Sequence, residues 1–481
     1  MISKKNINLL LANLLLFSGY ALGQSTCNCL DNLQKAIQRV EADYAGFPDK
    51  ITEKNDVAYA RLKDRLKKRA ISLNDPIACY GVLSDYVNYF YDKHFRIEYN
   101  APIDSVVIEI DAEQVMKTST TSKPNSITGI WKNPEGTEIA IFKQKDRSYQ
   151  AVKLVSAADD FPKGFVYFTL TPKGNNYTVK LYNRKINLEI PAKQVGNLLR
   201  IWNFQLWAKV GNAPLSEGEK AEWASWQEHK KGLLFKKLNP DLAYLKIPTF
   251  DGNEGAIQSL VSENDSVIRN SKYLIIDLTG NAGGSAGWVA LMPYLMTNQV
   301  NQKSSLLRVS KANVTNKLRD LEPFVKSPIP NEYKKYFPKE TLAQYQKAYR
   351  DLPSTSQVFY PTPAVNFPLE AVLKYPEKVA LIVDDFGGSA TEYFFYLTKQ
   401  SKKVISYGEP TIGMMDYVGM SIPTTLPYKA FKLYIPIEKS SWTDEHPIDR
   451  TGFEPQVPIA GRQEDWLTYI IKDLPSRPLN L

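Results

Sequence analysis

Two stretches of the chain, about a hundred residues apart, carry glycine turns flanked by small hydroxyls: Gly280-Asn281-Ala282-Gly283-Gly284-Ser285 and Gly387-Gly388-Ser389-Ala390-Thr391-Glu392. A turn of this kind aims backbone N–H groups and a hydroxyl at one point outside a strand end. Two of them side by side would supply a nucleophile and an oxyanion hole, the parts that acyl transfer needs. A phosphate loop is the poorer reading of 280–285, because no Lys-Ser/Thr follows and no dinucleotide glycine triplet is complete. Side chains that titrate near neutrality are scarce, the histidines being His94, His229 and His446.

The elements around the turns must present them on one edge. Each turn follows a short, continuously apolar run (274–278 and 379–383), as expected of parallel strands covered on both faces, and each precedes a helical pattern. From Leu242 onward strand and helix alternate: a strand over 243–247, a helix over 255–268, a strand over 273–278 and a helix over 285–296. A Pro- and Lys-rich excursion over 300–376 then gives way to a strand over 378–383, a helix from Ser389 and a strand over 403–406. Upstream, residues 27–100 read as helices, with Leu30, Leu33, Ile37, Val40 and Tyr44 on one face. The basic run from Lys63 to Arg69 has Leu66 on its inner side and reads as a solvated helix face. Residues 113–126 are polar and linker-like. Regularly spaced short strands over 127–192 predict a small antiparallel barrel or sandwich. Residues 193–240, with Trp202, Trp207, Trp223 and Trp226 as packing residues, read as a helical connection.

With 481 residues the chain has material for two to four domains, and 43% apolar with 23% charged residues is ordinary for a folded protein. Lys4 and Lys5, the apolar run 9–17 and Ala21-Leu22-Gly23 predict a secretory signal peptide over 1–23, too short for a permanent span. Its removal lowers the net charge by two, from +9 to +7, a mild bias that gives no support to nucleic-acid binding. In the oxidising compartment this implies, Cys79 is expected to pair with Cys27 or Cys29, leaving one thiol free. No histidine or fourth cysteine falls at zinc spacing, so no metal site is expected.

Five blocks carry a family resemblance. Tyr244-Leu245-Lys246-Ile247-Pro248-Thr249-Phe250, the stretch 274–285, Gly388-Ser389-Ala390-Thr391-Glu392, Gly408-Glu409-Pro410-Thr411-Ile412-Gly413 and Gly452-Phe453-Glu454-Pro455 follow in order the signature blocks of the C-terminal processing (tail-specific) serine peptidases. The resemblance covers about 242–460. It implies a crotonase-like α/β core over 241–475, beside a helical N-terminal domain over 24–112 and the small β domain. It also implies a serine endopeptidase that acts on polypeptides without metal or cofactor, and the signal peptide makes it an exported, periplasmic or extracellular one.

The family's nucleophile falls on Ser389, whose bland reading is a helix N-cap with Glu392 completing a capping box. The lysine that serves as base in one branch of the family falls on Met414, and a thioether cannot take a proton from serine. Another branch, similar to the tricorn core, uses histidine and an acid. Asp92-Lys93-His94 fits its histidine block, and Asp449, three residues before Gly452, fits its acid. The resemblance thus implies a Ser389, His94, Asp449 triad, with the N–H of Ala390 and that of Gly283 or Gly284 as oxyanion donors. His446, close to Asp449 in sequence, is the rival base, and His229 reads as a solvated helix residue. No PDZ-like carboxylate loop is evident. The same core resembles ligand-binding repeats of the interphotoreceptor retinoid-binding protein, so an inactive module that binds peptides or lipid-like ligands is the alternative.

Overall fold

Apolar side chains at helical spacing bury one stripe of each N-terminal helix: Leu33, Ile37 and Val40 on Cys29–Asp43 (α1), Leu62 and Leu66 on Asp56–Ala70 (α2), Val82, Leu83 and Val87 on Pro76–Asn88 (α3). Asn28 and Asp75 cap α1 and α3 by accepting the N–H of Asp31 and Ala78. A disulfide joins Cys29 to Cys79, and Cys27 is a buried free thiol. The computed structural model describes residues 27–99, 106–109, 126–155, 161–182, 185–211, 214–365, 367–420 and 422–479. The expected signal peptide at 1–23 and nearly all of the linker at 113–126 lie outside them.

After α3 the chain enters Arg96–Tyr99 (β1), which pairs antiparallel with the distant strand Phe431–Tyr434. The helical core is continuous with Tyr417, Leu426, Phe431 and Leu433. The N-terminal helices are therefore sewn into the C-terminal half by one strand pair and a shared apolar cluster.

The β-rich segment is a closed antiparallel barrel: Gly129–Lys132 (β2), Glu138–Lys143 (β3), Tyr149–Val155 (β4), Val166–Lys173 (β5), Asn176–Leu181 (β6), Ile190–Val195 (β7), Leu198–Ile201 (β8) and Gln205–Val210 (β9). This corrects the reading of 193–240 as a helical connection. A two-residue turn, Gly196-Asn197, sets Val195 opposite Leu198, and β9 closes the ring by pairing with both β8 and β2. Trp131 and Trp207 fill the interior. The helix in this stretch is Glu217–Gln227 (α4), opened by a Ser216/Glu219 capping box.

The third part is a six-stranded sheet in the order Leu234–Asn239 (β10), Leu242–Lys246 (β11), Tyr273–Asp277 (β12), Lys378–Val383 (β13), Val404–Gly408 (β14) and Val457–Pro458. All neighbours run parallel except β10 with β11. Glu254–Glu263 (α5) and Ala390–Thr398 (α8) cover one face, packing on Leu274, Ile276, Val379 and Leu381. Trp466–Asp473 (α9) covers the other, over Ile275, Ala380 and Ile382. Alternate residues of one strand thus serve two cores, which is why these strands read as unbroken apolar runs.

Two expected helices are shorter than predicted. Residues 255–268 break at Asn264, and 285–296 is a 3-10 turn (Gly287–Leu291) running into Met292–Leu295, because Pro293 has no N–H to continue an α-helix. The excursion after residue 300 holds Lys311–Lys326 (α6) and Lys339–Asp351 (α7) around a small core of Leu321, Tyr345 and Leu352. It is tied back to α1, since Ser310 Oγ and Asn313 Nδ2 donate to the Asp43 carboxylate and carbonyl.

Candidate active site

Ser389 occupies the sharp corner between β13 and α8 with φ 53° and ψ −121°. A non-glycine residue in that region costs about 1–3 kcal/mol, so the surroundings must hold it there. Its hydroxyl makes no capping bond, which corrects the capping-box reading. Glu392 is turned elsewhere: its buried carboxyl accepts the Thr411 hydroxyl (2.7 Å) and the N–H groups of Gly413 (2.7 Å) and Met414 (2.9 Å). Burial pushes this carboxyl up to about 7, against those hydrogen bonds.

The first glycine turn lies directly against this corner. A Cβ at Gly283 (φ +95°) would sit 2.5 Å from the Gly388 carbonyl oxygen and 2.7 Å from both the Ala390 nitrogen and Ser389 Cβ. Only glycine fits there. Two residues missed from the sequence staple the turns together. Fully buried Asn281 donates from Nδ2 to the Ile247 carbonyl, and its Oδ1 accepts the Gly283 N–H (2.9 Å) and the Thr391 hydroxyl (2.8 Å). Asp384 accepts the N–H of Gly280 on both oxygens (3.0 and 3.1 Å), the N–H of Phe386 and the Gln463 amide. The Gly283 N–H is therefore already committed. Of the expected oxyanion donors, Gly284 and Ala390 have N–H groups with no partner among the described residues.

His94 sits between α3 and β1, fully buried. Its Nε2 is 3.1 Å from Ser389 Oγ and its Nδ1 is 2.8 Å from the Tyr417 carbonyl oxygen. A carbonyl can only accept, so Nδ1 carries the ring proton and Nε2 turns a lone pair to the serine hydroxyl. Burial lowers the ring to about 4, so it is neutral at pH 7. Asp92 fixes this loop by accepting the N–H of His94 (2.8 Å) and Phe95 (3.2 Å), and Tyr44 donates its hydroxyl to the same carboxyl (2.8 Å). Lys93 ties the loop to its neighbours by donating to the carbonyls of Gly413 and Asp449.

The structure does not give Asp449 the expected contact with the ring. Its carboxylate takes Lys50 Nζ at 2.5 Å on one oxygen, and the other oxygen is buried without a hydrogen-bond partner. Asp416 holds the loop in this position by accepting the N–H groups of Ile448 and Asp449 at 2.8 Å. The Tyr417 carbonyl stands where the orienting acid was expected. No side-chain signal could have revealed this contact, whereas Asp92 was visible as the first residue of the Asp-x-His block. His446 is exposed, and His229 lies past the end of α4, exposed and with φ +59° instead of in the helix. Met414 is buried beside Gly388, where its sulfur would lie 2.6 Å from an added Cβ. Together with Ala282 and Phe386 it extends the barrel core up to the serine turn, and Trp202 Nε1 donates to the Phe386 carbonyl.

A serine hydroxyl facing a neutral imidazole, with open backbone donors alongside and a doubly covered parallel sheet beneath, is the arrangement of serine-dependent hydrolases. Residues 241–459 match the model of peptidase family S41, a family of serine peptidases. Among solved structures, the fold is similar to mature CPAF, with 13% identity, 93% of this chain and 96% of that chain covered, and a TM-score of 0.51. A mutant of CPAF aligns with 12% identity over 93% and 96% of the two chains, at a TM-score of 0.52. The photosystem II D1 C-terminal processing protease aligns at 12% identity over 90% and 92%, with a TM-score of 0.39. No curated protein matches the sequence.

Proposed function

We propose that this protein is an exported serine endopeptidase in which Ser389 is the nucleophile and His94 the general base. The observation that carries the reading is the 3.1 Å approach of Nε2 to Oγ with the ring tautomer set by the Tyr417 carbonyl. As Oγ bonds to the scissile carbonyl carbon, Nε2 takes the hydroxyl proton, and the Ala390 and Gly284 N–H groups receive the oxyanion. The imidazolium then returns the proton to the leaving amine as the C–N bond breaks. Water, deprotonated by the same nitrogen, releases the acyl group from Ser389. Asp449 serves in this scheme as a remote charge in the loop network, and the Tyr417 carbonyl orients the ring.

Export is supported by the 1–23 pattern and by the Cys29–Cys79 bridge, which persists in oxidising compartments. Among the described residues no helix is long and apolar enough to cross a membrane. A fluorophosphonate probe should label the mature chain at Ser389, and both labelling and casein hydrolysis should vanish in Ser389→Ala without loss of fold. Full labelling in His94→Ala would remove the base assignment. A wild-type chain that neither labels nor cleaves would favour the binding-module reading.

A further inference from the structure

A cavity of about 370 Å³ opens on the α9 face of the sheet between the barrel and α4. Its inner wall alternates buried charges. Arg200 pairs with Glu222, Lys246 lies 3.7 Å from Glu222 and 3.4 Å from Asp277, and the Tyr244 hydroxyl donates to Asp277. These groups satisfy one another. Others do not: the indole N–H of Trp466, a residue 2% exposed, and Gln463 Oε1 are buried without partners among the described residues. Lys236, in the same wall, forms no salt bridge among them either. Leu198, Leu234, Leu238 and Leu467 supply an apolar side.

We propose that this cavity binds a short apolar peptide with both termini free. Its carboxylate would meet Lys236 and the Trp466 N–H, its ammonium the Gln463 carbonyl with Glu464 nearby, and its side chains the four leucines. A ligand lacking either group would leave the Trp466 N–H or the Gln463 carbonyl buried and unmet, and half-buried Lys236 supplies a counter-charge for the carboxylate. The volume suits a dipeptide. The proposed peptidase activity enters only as the source of such products. The cavity also reaches the catalytic turns. Gln463 donates from its other atom to Asp384, which holds the Gly280 N–H, and Arg200 Nη1 comes within 3.5 Å of the position a Gly280 Cβ would take.

The test uses Leu-Leu dipeptide and full-length mature protein carrying Ser389→Ala, so that turnover plays no part. At about 100 times its Kd, Leu-Leu should raise the Tm by about 3 °C. N-acetyl-Leu-Leu and Leu-Leu amide should each bind about 10-fold more weakly, as should Leu-Leu to Lys236→Ala. Leu467→Trp, which fills the cavity, should lose the shift, and Leu238→Trp on another wall replaces it if Leu467→Trp fails to unfold cooperatively. An unchanged shift in the filled variant, equal binding of the blocked peptides, or no shift at all overturns the proposal. None of these results bears on probe labelling of Ser389, which tests the peptidase reading alone.

Discussion

At the scale of single residues, in the proposed mechanism the histidine sets the pH range. Burial holds His94 near 4, the Tyr417 carbonyl pushes it up, and Arg96 and Lys93 push it down. Only the unprotonated ring can take the serine proton. The rate should therefore hold from neutrality to about pH 5 and fall with a midpoint near 4, measured as kcat/KM on a fluorogenic peptide. A midpoint near the ordinary 6.5 would mean a solvated imidazole. Asp449 gives a second test. Its carboxylate is bound to Lys50 and not to the ring, so Asp449→Asn should lower kcat by less than about tenfold, against about 10⁴ where an acid directly orients a catalytic histidine. The same substitution leaves Lys50 without its counter-charge and should lower the unfolding midpoint in urea.

At the scale of elements, the catalytic corner is made by two turns in contact. Gly283→Ala places a methyl against the Gly388 carbonyl and Ser389, and should lower turnover by about 100-fold or more. Gly461→Ala is the control, because Gly461 also has positive φ (102°) but open space at its Cβ, and it should cost about 1–3 kcal/mol of stability while leaving turnover unchanged. How far these elements were legible depended on what encodes each. β12 and β13 announce themselves because burial on both faces leaves their central positions apolar, with charge only at the strand ends Asp277 and Lys378. β8 and β9 did not, since the Gly196-Asn197 turn is short and the neighbouring tryptophans suit a helix equally well. The Ser389 and His94 blocks were readable, because each needs a particular residue type at a particular spacing. The partner of Asp449 was not, because it is Lys50, 399 residues away, and the partner of the His94 ring is a backbone atom.

At the scale of the whole molecule, the serine and the histidine come from parts joined by the β1 pairing with Phe431–Tyr434 and by the apolar cluster behind it. The Cys29–Cys79 bridge closes a 50-residue separation within the helical part, which corresponds to about 4 kcal/mol of loop entropy. Cys29→Ser with Cys79→Ser should lower the free energy of urea unfolding by about 2–4 kcal/mol. Turnover should be lost over the same urea range, because the unfolding helices carry His94 away with them. The 295 residues between His94 and Ser389 also act as a clock. At ribosomal speeds of about 5–20 residues per second, roughly 15 to 60 s separate the synthesis of His94 from that of Ser389. The strand that pins the base in place, Phe431–Tyr434, is made later still. Under the proposed mechanism a nascent chain carries either no Ser389 or a Ser389 whose histidine is not yet pinned, so no cleavage is expected until Phe431–Tyr434 has paired with β1.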